Sequence, residues 1–329
     1  AMFNNRLEFT AEWYKNKSED LLYSVPVPAQ TGVSNTSVTM NAASMENSGF
    51  EFSATYRNRD HAFKYDISAN LSTLKNKVTS LGIGKDSYIS GAYATYVGQE
   101  IGQFYGWVYE GIARTQTDLD NHATQQGANV GDCLYKDISG PEGTPDGVID
   151  AYDQTVLGSG LPKVNFGLST HMEYKGFDLN ISTYGVLNYH VSDDIYNSLN
   201  SCYGYGNKEV GMLDANRWSE DGTYLSSVPR TYAANNATLA WNDLFSSRKI
   251  QNAAYWKIAN VELGYNFPDK WFGGYVSGVR LYVSAQNLYT FTGYHGYNVD
   301  YAGGTFTPGY NFCSFPSART FMAGLHFTF

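Results

Sequence analysis

Apolar and polar residues alternate along this chain in segments of about ten residues, the length that a tilted strand needs to cross a lipid bilayer. In residues 6–15, Leu7, Phe9, Ala11 and Trp13 occupy every second position, and polar side chains lie between them. Because successive side chains of a strand point to opposite faces, this pattern predicts strands with one apolar and one polar face. The alternation is strong in residues 6–15, 49–57, 63–72, 164–174, 177–187, 255–266, 279–287 and 319–329, and weaker in residues 88–97 and 103–113.

The connections between these predicted strands alternate between long and short. The long connections are residues 17–47, 73–162, 188–254 and 288–318, and the short ones are residues 58–62, 175–176 and 267–278. Outer-membrane barrels have short periplasmic turns and long extracellular loops, so the pattern predicts an antiparallel transmembrane β-barrel with its long connections outside the cell. A soluble β-sandwich also alternates apolar and polar residues, but connections of this length are uncommon in compact soluble domains.

The composition supports a membrane protein that crosses with strands. Aromatic residues make up 16% of the chain, with 28 Tyr and 18 Phe, and charged residues also make up 16%, against about 25% charged residues in soluble domains. No apolar run reaches the roughly 18 residues that predict a transmembrane helix. The net charge is −9 without a cluster of Lys or Arg, so nucleic acid is not an expected partner. The first residues lack the features of a signal peptide, and we interpret the chain as a mature or truncated segment.

The last strand predicted from the pattern ends in a recognisable arrangement of glycine and phenylalanine. Gly324, Phe327 and Phe329 form the sequence G-x-x-F-x-F at the end of the chain. This ending resembles the β-signal by which the outer-membrane assembly machinery recognises its clients. Aromatic rings also anchor at the depth of the lipid headgroups, which gives the terminal Phe a physical use in a barrel strand.

Six segments resemble the SusC/RagA family of TonB-dependent outer-membrane transporters, and they occur in that family's order. They are RLEFTAEWYKNKSEDLLYSVPVPAQTG (residues 6–32), SMENSGFEFSATYRN (44–58), EIGQFYGWVYEGIAR (100–114), LGSGLPKVNFGLSTHMEYKGFDLNI (157–181), AYWKIANVELGYNFP (254–268) and SAQNLYTFTGYHGYNVD (284–300). The resemblance implies an all-β fold in which residues 1–329 are the C-terminal part, about 8–10 strands, of a plugged barrel of about 22 strands. It also implies that the plug domain and the N-terminal strands are absent from this chain.

The resemblance further implies the function and the partners. We expect an importer in the outer membrane of a Gram-negative, Bacteroidota-type bacterium, taking up oligosaccharides or peptides beneath a SusD-like surface lipoprotein. TonB would supply energy through the missing N-terminal part, and outer-membrane lipid would surround the barrel. The alternatives are a passive porin-like channel, a barrel enzyme and a soluble β-sheet binding module.

An acidic segment, KDISGPEGTPDGVIDAYD at residues 136–153, predicts a calcium site in a long connection. Ca²⁺ binds six to eight oxygens, often with a glycine at a sharp turn and a backbone carbonyl after it. The predicted ligands are Asp137, Asp146, the carbonyl of Val148, Asp150 and Asp153. The family that this chain resembles has an uninterrupted loop here, whereas residues 140–145 are an insertion. The alternative is an acidic surface turn without an ion.

Catalytic residues are not predicted. The His residues lie apart from one another without metal-ligand spacing, and no G-x-S-x-G or phosphate-binding glycine loop occurs. Three widely spaced cysteines, Cys133, Cys202 and Cys313, form neither a disulfide framework nor a zinc motif. Aromatic residues on the long connections, Trp218, Trp241 and Tyr297, are candidates for contacts with cargo, since aromatic rings stack on sugars and on peptide side chains. The alternative is that these rings pack the loops together.

Overall fold

The structure is a computed structural model that describes residues 2–26, 37–82, 84–202, 207–213, 221–231, 241–272, 276–301 and 303–329. Its strands are β1 (Leu7–Pro26), β2 (Ser37–Asn58), β3 (Phe63–Thr73), β4 (Lys75–Ser80), β5 (Ser87–Ser90), β6 (Tyr93–Tyr96), β7 (Gln103–Gly106), β8 (Tyr109–Ile112), β9 (Cys133–Tyr135), β10 (Thr155–Ser159), β11 (Val164–Tyr174), β12 (Phe177–Leu187), β13 (His190–Asp193), β14 (Gln251–Asn252), β15 (Tyr255–Phe267), β16 (Gly278–Thr292), β17 (Gly303–Gly304), β18 (Thr307–Pro308), β19 (Tyr310–Asn311) and β20 (Thr320–Thr328). The α-helices are α1 (Gln116–Asp120), α2 (Asp194–Leu199) and α3 (Val210–Leu213), and 3₁₀ turns lie at Ala151–Asp153, Ser247–Lys249 and Asp269–Trp271.

Eight of these strands form one antiparallel sheet, in the order β1-β2-β3-β11-β12-β15-β16-β20, with β4 paired to β2 beside this path. Each strongly alternating segment of the sequence falls, to within one residue at its ends, inside one of the eight strands, which confirms the predicted antiparallel sheet. Short turns join β2 to β3, β11 to β12 and β15 to β16 at one end of the sheet, called here the short-turn end. The other four connections lie at the opposite, long-loop end.

One apolar row runs across all eight strands. Trp13 pairs with Phe50 in β1 and β2, and Leu281 pairs with Leu325 in β16 and β20. Partners that lie directly opposite project from the same face of a sheet, so the row forms a single surface. Its side chains are exposed rather than packed, with Trp13 at 61% and Leu325 at 57%. Other exposed members are Phe9, Phe50, Phe52, Leu71, Leu168, Phe177, Leu263, Leu281, Val283, Phe321 and Phe327.

The first long connection is shorter than predicted, because β1 and β2 extend well beyond the alternating segments. The two strands remain paired from Leu7 opposite Tyr56 to Pro26 opposite Ser37, so most of the predicted loop 17–47 is a tall hairpin. A register shift between Ser18 and Leu21 accommodates the irregular stretch. The polar run NKSED does not alternate and therefore hides the strand, whereas backbone pairing needs no particular side chain.

The two weaker strand candidates form strands outside the main sheet. Residues 88–97 contain β5 and β6, which turn at Gly91 with a φ of 57°. Residues 103–113 contain β7 and β8. The strands β10, β7, β6 and β5 make a four-stranded sheet, and β8 pairs with β9 in a separate two-stranded sheet. These small sheets lie in the second long connection and add no strand to the eight that cross the main sheet.

Buried apolar residues collect at the long-loop end in three clusters. One surrounds Tyr189 and Tyr255, a second surrounds Val78 and Leu81, and a third surrounds Tyr135. The long connections therefore have packed cores of their own, in contrast to the exposed apolar row of the sheet. No helix in the described residues is long and apolar enough to span a membrane.

Candidate functional site

The face of the main sheet opposite the apolar row carries ion pairs near the short-turn end. Arg280 on β16 donates from Nε to Asp178 Oδ2 at 3.0 Å and from a terminal nitrogen to Glu262 Oε1 at 2.7 Å. Asp178 is only 5% exposed, and the paired guanidinium offsets the cost of burying its charge. Gly264 leaves room for this pair, because a β-carbon there would lie 2.5–2.6 Å from the Arg280 guanidinium and the Asp178 carboxylate.

His171 on β11 continues this polar surface on the neighbouring strands. Its Nε2 lies 2.8 Å from Glu173 Oε1 and its Nδ1 lies 2.6 Å from Asn180 Oδ1. In the sheet it stands opposite Asp66 on one side and Asn180 on the other. Polar side chains from at least three adjacent strands thus bind one another across this face, which matches the polar interior of an outer-membrane barrel.

Near the long-loop end, Asp300 joins the fourth long connection to the polar face of the sheet. Its Oδ2 accepts a hydrogen bond from Lys257 Nζ at 2.5 Å, and its Oδ1 accepts from Tyr255 at 3.0 Å and from Tyr184 at 3.1 Å. The Lys257 side chain is only 4% exposed. Because one carboxylate takes hydrogen bonds from β12 and β15 together, the chain around residue 300 is held against the upper part of the sheet.

A buried clamp joins the second and third long connections. Arg230 binds Asp132 with two hydrogen bonds of 2.5 and 2.8 Å, and Asn242 Nδ2 donates to Asp132 Oδ1 at 2.7 Å. Asp132 is 1% exposed and Asn242 is 2% exposed. Asn242 Oδ1 also accepts from the backbone N–H of Cys133 at 2.7 Å. These bonds unite the two connections into one unit, called here the long-loop unit.

The core of the long-loop unit is tightly closed around β9. Cys133 is 0% exposed and Tyr135 is 1% exposed. Burial raises the pKa of the Cys133 thiol to about 12 and raises the pKa of Tyr135 as well. The thiol therefore stays protonated at neutral pH and behaves as a small apolar group. Cys202 is also buried, whereas Cys313 is exposed.

The predicted calcium ligands all lie in one turn of the long-loop unit. Their carboxylate oxygens already accept several hydrogen bonds from backbone amides. Asp137 Oδ2 accepts from Gly147 at 2.7 Å and Asp146 Oδ1 accepts from Val148 at 3.0 Å. Asp150 and Asp153 cap the 3₁₀ turn at Ala151–Asp153 in a reciprocal capping box, with Asp153 0% exposed. In the described residues, no three His, Cys, Asp or Glu side chains converge as a metal-binding group. Asp137 Oδ1, however, is buried without a hydrogen-bond partner.

The three aromatic candidates for cargo contact differ in their surroundings. Trp218 lies outside the described residues. Trp241 packs against Tyr135 with a centroid distance of 6.2 Å, and its Nε1 donates to the Gln126 carbonyl at 2.9 Å. These contacts favour a packing role for Trp241. Tyr297 is 63% exposed and lines a cavity of about 320 Å³ together with Arg319 and Asn298, whereas Trp241 is half-buried.

A second, larger cavity of about 860 Å³ lies along β8 on the long-loop unit. The β8 groove, as we call it, is lined by Tyr109–Ile112, Arg114, Thr115, Asp118, Asn121, His122, Leu134, Thr223 and Ser227. Arg114 joins its two walls, donating to the carbonyls of Tyr224 and Ser226 at 3.0 Å each. No pattern in the sequence predicts this groove.

Comparison with known proteins gives relatives along the whole length of the chain, although no family model matches it. TonB-dependent receptor P3 of Formosa agariphila is 32% identical over 348 aligned positions, which cover 100% of this chain and 33% of that receptor. TonB-dependent receptor SusC of Bacteroides thetaiotaomicron is 27% identical over 345 positions, covering 100% of this chain and 31% of SusC. In sequence and in fold, this chain is part of a SusC/RagA-type TonB-dependent receptor. The structure of the RagAB peptide transporter supports the fold, with a TM-score of 0.77, 23% identity and coverage of 98% of this chain and 33% of that one.

The receptor is an outer-membrane protein, and its chain here spans about a third of the length of the relatives that it matches. The apolar row of the main sheet faces lipid, and the opposite polar face lines the barrel lumen. The short-turn end is periplasmic and the long-loop end is extracellular by the same rule. The long-loop unit and the β8 groove therefore lie outside the cell.

Several residues that organise the extracellular face of the receptor carry no local sequence signal. Asp132 and Arg230 are 98 positions apart, and Asp132 and Asn242 are 110 apart. Lys257 on β15 and Asp300 in the fourth long connection are also 43 positions apart. Each of these residues is by itself an ordinary polar position in the sequence, so only the folded chain reveals the contacts between them. One sequence feature bears on these contacts, because Lys257 is a charged residue within the alternating segment 255–266.

Proposed function

We propose that this chain forms part of the barrel of an energy-coupled importer that takes up oligosaccharides or peptides through the outer membrane. The observation that carries the proposal is the exposed apolar row across eight strands, backed by a polar face rich in ion pairs. That arrangement suits a wall between lipid and an aqueous or protein-filled lumen. The similarity to TonB-dependent receptors supports energy coupling through TonB.

We further propose that residues 1–329 are the C-terminal part of the barrel, with a plug domain and further strands supplied by the rest of a longer protein. The end strands of the sheet, β1 and β20, each have a single neighbour among the described residues. Unpaired backbone groups are strongly unfavourable in lipid, which supports pairing of these two edges with additional strands. The large lumen of a barrel of about 22 strands is the kind that holds a plug.

A SusD-like surface lipoprotein is the proposed partner at the extracellular face. The long-loop unit supports this role because its own core and the clamp between Asp132 and Arg230 make it a firm surface. Preformed surfaces bind partners at a lower entropic cost than loops that must be ordered on binding.

Calcium remains a proposal for the acidic turn. The buried Asp137 Oδ1, which lacks a hydrogen-bond partner, supports a hard cation at this turn. The Gly147 amide donates to Asp137 Oδ2, which places Asp137 beside the segment that carries Asp146 and Val148. Asp150 and Asp153 fit less well, since their carboxylates accept hydrogen bonds from backbone amides. Bound there, the ion would brace an extracellular turn by linking oxygens that otherwise repel one another.

The import proposal is tested with the full-length receptor in cells that lack their other importers. Uptake of a labelled oligosaccharide or peptide should require both the receptor and TonB, and should stop when the proton motive force is dissipated. Uptake that continues without TonB would instead support the passive channel. Enzymatic conversion of the cargo by the purified receptor would support the barrel enzyme.

A further inference from the structure

We propose that the short-turn end of the main sheet carries a binding site for an anionic phospholipid, centred on Lys175 in the turn between β11 and β12. The headgroup phosphate binds Lys175 with Lys270 beside it, and the acyl chains lie along aromatic residues of the neighbouring strands. The site is on the lipid side of the barrel wall, so it is separate from the path of any cargo through the lumen.

A belt of aromatic rings crosses the apolar face next to the short turns. Each member stands directly opposite the next across the sheet, and the members are Phe63 on β3, Tyr174 on β11, Phe177 on β12 and Tyr265 on β15. The ring centroids of Phe177 and Tyr265 are 4.7 Å apart, and Phe177 is 53% exposed. Aromatic residues of membrane barrels lie at the depth of the headgroups, so this aromatic belt marks where the periplasmic headgroups begin.

Lys175 places its charge on the lipid side of the aromatic belt. Lys175 and Gly176 both have positive φ, 49° and 87°, as a two-residue type I′ turn requires. The Lys175 ammonium lies over the Tyr174 ring, 5.2 Å from its centroid. Because Tyr174 projects from the apolar face, the ammonium lies on that face and not in the lumen. An aromatic ring attracts a cation but carries no net charge, so the positive charge of Lys175 remains available to an anion.

The basic residues of the short turns differ in whether a carboxylate already neutralises them. At the turn between β2 and β3, Arg59 pairs with Asp66. In the described part of the chain, by contrast, neither Lys175 nor Lys270 belongs to any of the ion pairs at this end of the sheet. Unneutralised positive charge is therefore concentrated beside β11, β12 and β15.

The two lysines lie on adjacent turns. β12 and β15 are neighbours in the sheet, and neighbouring strands are about 4.8 Å apart. The Gly176 carbonyl accepts a hydrogen bond from the Asn266 amide at 2.7 Å, which ties the Lys175 turn to the end of β15. Lys270 follows in the next turn, beside Trp271, which is 62% exposed. Two cations next to exposed aromatic rings match the phosphate and the upper acyl chains of a phospholipid.

The aromatic belt favours a lipid over a free anion. A phospholipid carries apolar chains directly beneath its phosphate, so the exposed Tyr174 and Phe177 rings contact the chains while the lysines contact the headgroup. Inorganic phosphate gains nothing from these rings. Net charge then selects among lipids, because phosphatidylglycerol has no cation of its own, whereas the choline of phosphatidylcholine opposes the attraction to lysine.

The test is native mass spectrometry of the full-length receptor in detergent micelles, titrated with phosphatidylglycerol, with phosphatidylcholine or with inorganic phosphate. Phosphatidylglycerol should bind about tenfold more tightly than phosphatidylcholine, since two unneutralised lysines attract its charge. Inorganic phosphate should not displace phosphatidylglycerol at equal concentration. Equal affinity for the two lipids would overturn the proposal. Displacement by inorganic phosphate would also overturn it, because the site would then recognise a free anion.

Lys175→Gln should weaken the binding of phosphatidylglycerol about fivefold, and adding Lys270→Gln should weaken it further, while phosphatidylcholine binds as before. Lys64→Gln is the matched control, since Lys64 lies at the same end of the sheet but pairs with Glu173 on the lumen face, and it should leave both affinities unchanged. Unchanged phosphatidylglycerol affinity in the double variant would overturn the site. An equal loss in Lys64→Gln would overturn it too, by showing a general effect of net charge.

Discussion

The ring of Tyr282 lies directly over Gly324 on the neighbouring strand, in the lumen of the barrel. A β-carbon at position 324 would come within 2.5–2.7 Å of the ring. The guanidinium of Arg280 also lies over the Tyr282 ring, 5.2 Å from the ring centroid. The glycine that the sequence marks as part of the C-terminal signature is therefore also the place where the last strand accommodates a cross-strand aromatic.

Replacing Gly324 with alanine should destabilise the barrel, because the new methyl group meets a ring that is itself held by Arg280. The expected cost is about 1–3 kcal/mol, typical of overpacking, and it should appear as a lower temperature for loss of heat-modifiable mobility on gels. Gly278→Ala is the control, since the nearest atom to a β-carbon there is 3.8 Å away. The double variant Gly324→Ala, Tyr282→Ala should recover stability, and a double variant as unstable as the single one would contradict this explanation.

Removing Arg230 should loosen the long-loop unit without unfolding the strands in the membrane. Arg230→Met leaves the buried Asp132 carboxylate without its cation, and breaking a buried pair costs about 3–5 kcal/mol. Limited proteolysis should then cut residues 221–231 faster than in the unaltered receptor.

Arg6 supplies the comparison for this experiment, because its ion pair with Asp60 is exposed, with side chains at 43% and 62%. Arg6→Met should change stability by no more than about 1 kcal/mol. Equal rates of proteolysis of the Arg230 and Arg6 variants would show that the buried pair stabilises the long-loop unit no more than an exposed ion pair does.

The buried Cys133 and the exposed Cys313 should differ sharply in reactivity. Cys133 is fully buried, and its pKa is raised to about 12, so its reactive thiolate is scarce at every pH up to about 10. At pH 8, a thiol reagent should therefore label the exposed Cys313 and leave Cys133 unlabelled until the receptor is unfolded. Mass spectrometry of the labelled peptides measures this, and labelling of Cys133 in the folded receptor at pH 8 would refute the closed core.

Calcium binding is expected to depend on Asp137, whose Oδ1 lacks a partner. Calorimetric titration of the full-length receptor should show one Ca²⁺ site that Asp137→Asn weakens by at least about tenfold, since a lost carboxylate ligand reduces the charge of the site. Glu142→Gln removes an exposed acidic side chain from the same turn and should leave the affinity unchanged. The absence of binding heat in the unaltered receptor would show that this turn does not bind Ca²⁺.

The main sheet could be predicted from sequence because lipid imposes two requirements on every strand at once. Backbone groups must pair within the sheet and one side of each strand must be apolar, and Leu281, Val283 and Leu325 show the second requirement directly. The upper half of the first hairpin lies outside lipid, so residues 16–20 need not alternate. Their pattern therefore does not predict that β1 continues through them. The long-loop unit obeys no such periodicity. Its key contacts, such as Arg230 with Asp132, join distant positions whose neighbours in sequence reveal nothing.

The aromatic candidates for cargo contact also depend on contacts that the sequence does not show. An aromatic residue on a loop is equally suited to packing and to binding, and the choice depends on its neighbours in the fold. Trp241 has Tyr135 beside it and packs, whereas Tyr297 remains exposed.

A barrel wall requires that the apolar row, and not the polar face of the main sheet, meets lipid. Spin labels placed singly at Val283, Ser284, Ala285 and Gln286 of the full-length receptor in bilayers would measure this through collisions with oxygen and with a water-soluble nickel complex. Labels at Val283 and Ala285 should show high oxygen and low nickel accessibility, and labels at Ser284 and Gln286 should show lower oxygen accessibility. The opposite alternation, or no alternation along these four residues, would contradict the assignment of the apolar row to lipid.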